Sequence, residues 1–522
     1  MFLIGPFPSS LNQRVFRGGR ALACISHHRN EESGGGVVNL VVNKPNLPSE
    51  PTAALQTDCP QPPLLFPELC ARPVTVAFDA PHVSSDGGAL LLGRLDRSHG
   101  YLARFAAAFT DHRDAESIEH TTLELLRQRV YGIALGYEDL NDHDLLRADP
   151  LLAALCGKDD PAGQDRRRAE DRGCALAGKS TLNRLELTPA DADAAARYKK
   201  IAADADALED FFIAEFVRSL ARDTTRVVLD LDATDDPIHG QQEGRFFHGY
   251  YGHYCYLPLY IFCGDWPVLA WLRPSDRDAA FGAVEKVAKI VAALRRKFPR
   301  VQIILRGDSG FCRDELLRWG ELHQVNYLVG LARNAALERK LERALAQARQ
   351  LSEANGGAPA RVFCEFTYRA GKWHAPRWVI GKAEWTQGEA NPRFIITNLN
   401  PLQFDAQELY AEEYCGRGNM ELRIKEQQLD MFADRTSTEG LRSNQLRLWF
   451  STLAYLLVNQ LRRVALFGTE LARATCGSIR EKLFKIGAVV RVSVRRVAVS
   501  LSAACPWQRL FEQAAARLAG SG

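Results

Sequence analysis

The spacing of apolar positions changes character several times along this chain. From Ser85 to about Arg222 apolar residues recur three and four apart, the helical interval, most clearly over Glu119–Tyr131. The first stripe opens at Gly87-Gly88-Ala89 and ends at Leu95. Ser180 reads as the N-cap of a helix over Lys179–Leu185, and the alanine-rich run Pro189–Arg222 as one long helix. Helices before any strand predict a separate all-α module.

At Arg226 the pattern becomes strand-like. Val227–Leu231 predicts a first strand, and Tyr254–Phe262 with Pro267–Leu272 a hairpin turning at Gly264-Asp265. Ser275 or Asp276 is the expected cap of a helix running to about Lys297, stopped by Pro299. Val301–Leu305, a short helix near Arg313–Glu321, and Tyr327–Leu331 complete the order β-β-β-α-β-α-β. A charged helix, Leu337–Leu351, then leads into strand-like runs at Val362–Tyr368, Arg377–Ile380 and Arg393–Thr397, which read as a β-rich insertion. Helical patterning resumes at Gln407, and Leu446–Leu461 is apolar enough to be a buried helix. The tail carries one strand-like segment, Val489–Val494, before a final helix.

These changes divide the chain into six regions: 1–75, 76–222 (helical), 223–334 (core, first part), 335–405 (insertion), 406–465 (core, helical part) and 466–522 (basic). The fold class is α/β. In the first region Pro45, Pro48, Pro51, Pro60, Pro62, Pro63, Pro67 and Pro73 cluster and no period persists. It reads as a poorly ordered arm or as a segment added by an upstream start codon.

Composition narrows the class. The 522 residues are 46% apolar and 25% charged, as in an ordinary globular protein. Net charge is only +3, so any nucleic-acid role must rest on local basic regions. The twelve cysteines form no Cys-x-x-Cys pair, which predicts reduced thiols in a cytoplasmic protein and neither a zinc site nor a disulfide framework. No run of 18 apolar residues spans a membrane, and Met1–Pro6 lacks the features of a signal peptide.

Against this background three acids stand out. Asp232 ends the apolar run Arg226–Asp232, Asp308 ends Arg300–Asp308, and Glu421 lies in the helical stretch Tyr414–Glu421. A carboxylate at the end of a hydrophobic strand is costly to desolvate without compensation. Three carboxylates suit a hard divalent cation such as magnesium, which points to phosphoryl transfer. Strand alternation puts Val227, Leu229 and Leu231 on one face and Val228, Asp230 and Asp232 on the other. A helical crossover would set the Val301–Leu305 strand parallel to the first, so that Asp232 and Asp308 meet at the carboxyl edge. At 100° per residue Tyr414, Arg417, Glu421, Lys425 and Gln428 share one stripe, suited to phosphate contact. Taken singly, each signal has a plainer reading: a turn at Asp308-Ser-Gly, or a surface Arg417–Glu421 pair.

Leu229–Pro237, His239-Gly-Gln241, Arg306–Phe311, Thr397-Asn-Leu399 and Tyr414–Glu426 together resemble the DDE transposases of bacterial insertion sequences. The likeness runs from about Phe78 to the C-terminus. It is to the branch with a β-rich insertion between the second Asp and the Glu, in the insertion-sequence group numbered thirteen-eighty. The resemblance implies a ribonuclease-H-like mixed-sheet core, with Asp232, Asp308 and Glu421 as a catalytic triad holding two Mg2+ ions, for which Mn2+ can substitute. Tyr414 and Arg417 match the Tyr-x-x-Arg-x-x-x-Glu signature. The signature's lysine falls seven positions after the Glu; Gln428 stands there, and Lys425 is the nearest lysine on the same face. The implied activity is nicking at the element's terminal inverted repeats, then joining of the freed 3′-hydroxyl to target DNA, with a homodimer on paired ends.

DNA contacts have several candidates. Asn183 and Arg184 read either as base-edge readers at a helix start or as part of a capped surface helix. Arg462, Arg463, Arg495 and Arg496 belong to a basic tail suited to phosphate binding. Trp373, His374 and Trp378 read as a wedge for distorted ends or as packing. His239, His248 and His253 match no metal-ligand spacing and read as structural or backbone-contacting. Three function classes remain at this level: an active transposase, a ribonuclease-H-like nuclease without strand transfer, and a silent DNA-binding relic.

Overall fold

The computed structural model describes residues 64–66, 72, 74–77 and 79–520. The chain divides into two compact units, Met1–Ala77 and Phe78–Gly522. In the first, Leu64–Phe66 pairs antiparallel with Val74–Val76; most of the expected arm at 1–75 lies outside the described residues.

The second unit is built on a mixed sheet. Its main strands are β1 (Arg226–Ala233), β2 (Leu259–Cys263), β3 (Trp266–Trp271), β4 (Gln302–Gly307), β5 (Asn326–Leu331), β6 (Ala360–Tyr368), β7 (Arg377–Thr386) and β8 (Arg393–Thr397). Their spatial order is β3-β2-β1-β4-β5-β8-β7-β6. β1, β2 and β3 form an antiparallel meander, while β4 lies parallel to β1 and β5 parallel to β4. The principal helices are α1 (Thr122–Leu135), α2 (Ala205–Ser219), α3 (Ala283–Lys297), α4 (Asp314–Leu322), α5 (Ala335–Ala354), α6 (Gly418–Met431) and α7 (Leu441–Val464). α3 connects β3 to β4, and α4 connects β4 to β5.

Strand alternation sorts the side chains into two layers. Val227, Leu229 and Leu231 join Ile303, Leu305, Tyr327 and Val329 in the main core. Val228 faces the other way, against a smaller cluster of Ile304, Leu328, Ile395, Leu409 and Tyr410. Asp230 and Asp232 share the parity of Val228 and so belong to this second face. α7 is buried along nearly its whole length and packs on α1, α6 and β3. Its middle, Leu448–Val458, is mostly apolar and suits the interior, while buried polar residues nearer its ends, such as Asn444 and Asn459, are hydrogen-bonded. The strands of region 335–405 continue the same sheet: β8 pairs with β5, and α5 covers β7 and β8 through Leu337, Leu341 and Ala344.

Several local expectations are corrected. The alanine-rich stretch 189–222 is not one helix. Ile201–Ala203 pairs as a strand with Phe109–Asp111, and Asp204 then caps α2 by accepting from the amides of Asp206 and Ala207. Ser180 lies inside its helix, Lys179–Glu186, whose N-cap is Gly178. α3 begins only at Ala283, after Gly282 turns the chain at φ 70°, while the Ser275 hydroxyl donates to the Phe246 carbonyl instead. The run 254–262 is two strands. Pro258 lacks an amide hydrogen for a ladder, and His253–Tyr256 pairs with a separate small sheet before β2 starts.

The C-terminal hairpin, β9 (Ala488–Ser493) and β10 (Arg496–Leu501), pairs with Val83–Ser84 at the start of the unit. A last helix, α8 (Gln508–Gly520), is held by Arg517, which donates to the carbonyls of Ala465 and Phe467. The nine described cysteines are free thiols. Among the described residues no helix is long and apolar enough to cross a membrane.

Candidate active site

β1 and β4 run side by side in register, Leu231 opposite Gly307, so Asp232 and Asp308 each follow at the carboxyl end of neighbouring parallel strands. Asp308 also caps the short turn Ser309–Phe311, one oxygen accepting the Gly310 amide at 2.9 Å. The turn reading and the edge-carboxylate reading of Asp308 therefore coexist.

The third acid arrives from above the second face. The backbone is π-helical over Leu409–Tyr414, tightens to a 3-10 turn at Cys415–Arg417 and becomes α6 at Gly418. Such changes of pitch often accompany functional sites. Arg417 donates to Asp232 Oδ1 at 3.3 Å and lies 3.0 Å from Glu421 Oε1. Its guanidinium therefore sits between the two carboxylates. Burial pushes Asp232 up to about 7; Arg417 opposes that rise, while Asp308 and Glu421 add to it. Tyr414 packs over the same edge: a Cβ added at Gly330 of β5 would stand 2.7 Å from its Oη and 2.9 Å from the Ser309 amide nitrogen.

The donor set fits a hard divalent cation in kind, three carboxylates whose charges repel one another. It does not fit in present spacing. Among the described residues no three His, Cys, Asp or Glu side chains are arranged to hold a metal ion. The Arg417 guanidinium stands between Asp232 and Glu421, where shared coordination would bring them together. Glu421 is half exposed on its helix and has room to move.

The remaining candidates separate. Lys425 is exposed on α6, and Gln428 donates to the Asp235 carbonyl at 3.1 Å, tying α6 to the loop after β1. Asn183 and Arg184 are exposed, and Arg184 lies over the Tyr198 ring. Arg463 is half exposed, and Arg495 and Arg496 stand out from the β9–β10 turn. Arg462 is a correction. It is buried, ion-paired with Glu426 at 2.8 Å and donating to the Ala474 carbonyl, so it has no surface to offer DNA. Trp373 is buried and Trp378 half-buried, which makes them packing residues rather than an exposed wedge. His374 pairs with Asp314 and Glu321. His253 pairs with Asp235 at 2.8 Å, and burial holds Asp236 well above the usual carboxylate range.

Sequence reading passed over three residues. Arg306 faces Asp230 directly across β1 and β4, clamps it with two bonds of 2.6 and 2.8 Å, and donates to the Glu413 carbonyl. Asp230 is thereby a support for the Tyr414 segment, and the parallel register was the signal that could have found it. Gly330 could have been found as a glycine inside a strand, a mark of close approach. Glu426 locks the far side of α6, accepting from Arg423, Arg462 and the Cys476 amide.

A family model for the transposase DDE domain, group 1, matches residues 66–522. No curated protein matches the chain. Among solved structures, the chain is similar to the cryo-EM structure of a piggyBac transposase synaptic complex with hairpin DNA. Identity is 10% and the TM-score 0.31, over 53% of this chain and 54% of that one, so the chain spans about half the length of that neighbour.

Proposed function

This chain belongs to the transposase DDE domain group 1 family, and from that premise we propose that it cuts the terminal inverted repeats of its own insertion sequence and joins them to target DNA. The observation that carries the reading is the meeting of Asp232 and Asp308 at the carboxyl ends of adjacent parallel strands, with Arg417 reaching the first of them from a helix. The strand order β3-β2-β1-β4-β5, an antiparallel meander followed by two parallel strands, supports a ribonuclease-H-like core.

In this reading Asp232, Asp308 and Glu421 would hold divalent ions, Mg2+ or Mn2+, once Arg417 leaves the gap between Asp232 and Glu421. Such ions would supply activation of a water or 3′-hydroxyl and stabilisation of the leaving oxygen. Arg417 holds the carboxylates until DNA arrives, then pairs with phosphate oxygens, for which its planar fork is suited. Tyr414 hydrogen-bonds the DNA backbone, and Lys425 contacts it further along the stripe. Arg463, Arg495 and Arg496 neutralise phosphates, and Asn183 and Arg184 contact the repeat. Two ends must be held together for joining, which calls for a homodimer on DNA.

The test combines purified protein, magnesium, a labelled element end and a target plasmid. Joined products are expected; nicks alone would favour a plain nuclease, and binding alone a silent relic. Asp308→Asn should end cleavage while end binding persists. Retained cleavage in that variant would refute the triad.

A further inference from the structure

Exposed aromatic rings concentrate in one place. Phe246–His248 and His253–Tyr256 form a hairpin just after β1, closed by Gly249–Gly252. On it Phe246 is 43%, Phe247 59%, Tyr250 87% and Tyr254 44% exposed. Clustered exposed apolar residues usually mark a binding surface. The rings also touch in two separate groups. Phe247 meets Tyr254 edge-on at 5.6 Å, Tyr250 meets Tyr251 at 5.0 Å, and Tyr251 lies 4.9 Å from His248.

The hairpin is anchored beside the acidic edge by the face opposite to Phe247 and Tyr254, the face that carries His248 and His253. The Tyr251 hydroxyl donates to the carbonyl of Ala233, the residue after Asp232. Ser275 fastens the hairpin at the Phe246 carbonyl, and the same loop reaches the second aspartate: a Cβ added at Gly310 would stand 3.1 Å from that of Ala279. Two arginines lie against aromatic rings here, Arg245 also donating to the Gly240 carbonyl and Arg277 pairing with Asp276. The Arg245 guanidinium lies 4.4 Å from the Tyr254 ring centre, Arg277 lies 5.2 Å from that of Phe281, and Asp235 is answered by His253.

We propose that this hairpin is a stacking platform for DNA bases that have left the duplex beside the cleaved phosphate, with Tyr250 and Phe247 as its contact rings. The proposal rests on the transposase reading. The patch is aromatic rather than aliphatic, and every base has a π-face to lay on such rings, whatever its identity. Enzymes that work within a duplex commonly pull nucleotides out of the stack, and an unstacked base needs a surface to rest on. Arginines already lying on ring faces can turn to the flanking phosphates.

The test uses the full-length protein with a chelator present, so that nothing is cut, and three fluorescent probes. These are a blunt duplex, the duplex with a short thymine flank, and the duplex with an abasic flank of equal charge. Wild type should bind the thymine flank roughly five- to a hundred-fold more tightly than the abasic one. In Phe247→Ala/Tyr250→Ala that preference should fall to about two-fold or less, with blunt-duplex binding and the melting curve unchanged. Tyr250→Trp should keep the preference, and Tyr250→Leu should lose much of it, since it retains apolar area without a stacking face. Equal binding of both flanks by wild type, or a preference that survives the double substitution, overturns the platform alone. Failure of wild type to bind any of the three probes overturns the transposase reading with it.

Discussion

Asp232 carries the site's main electrostatic tension. Burial and the neighbouring Asp308 and Glu421 raise it to about 7, against an ordinary 3.8. The folded state therefore keeps a proton that the unfolded chain releases between those values. Stability is full below the unfolded pKa and declines as pH rises through about 7. Asp232→Asn, which cannot ionise, should melt higher than wild type at pH 8 by roughly 2–4 kcal/mol of stability, and equally with it near pH 4. Denaturant titrations at both pH values check this. A gain that is the same at both would mean that side-chain packing, not charge, is responsible. Arg417 is the residue that makes the present arrangement tolerable, since its guanidinium lies against both Asp232 and Glu421.

At the scale of elements, two sets of tail arginines look alike in sequence and behave oppositely in space. Arg462 is on α7 and sealed against Glu426 of α6, so it aims the helix that bears Glu421. Arg495 and Arg496 are on the exposed turn of β9 and β10. Arg462→Ala would leave the buried Glu426 carboxylate with only Arg423 and the Cys476 amide and should cost about 1.5–3 kcal/mol, read by urea unfolding. Arg495→Ala/Arg496→Ala should leave unfolding unchanged. It should weaken DNA binding and lower the salt-dependence slope by about two. An unaltered slope would remove that turn from the DNA contacts.

For the whole molecule, the two ends of the main unit are tied together. Val83–Ser84 pairs with β9, and α8 is fastened through Arg517 to the segment that follows α7. Ending the chain at Gly487 should therefore abolish cooperative thermal unfolding, and not merely reduce DNA affinity. A truncated protein that still melted in one sharp step would show that the tail is dispensable to the fold.

Much of this was legible in the chain itself. The β-β-β-α-β-α-β order, the opposite faces of Val227 and Val228, and the buried 446–461 helix follow from spacing alone, because burial imposes a period on each element wherever the element sits. The pairing of Asp232 with Asp308 needed only one topological rule added to that pattern. What the sequence left open depends on partners distant along the chain. Only tertiary structure decided that Asp230 belongs to Arg306, that Arg462 belongs to Glu426, that strands after residue 335 extend the core sheet, and that the exposed rings are Phe247 and Tyr250 rather than Trp373 and Trp378. A side chain's type sets what it can bind. Which neighbour reaches it, and whether water does, is set by packing among segments that local pattern does not relate.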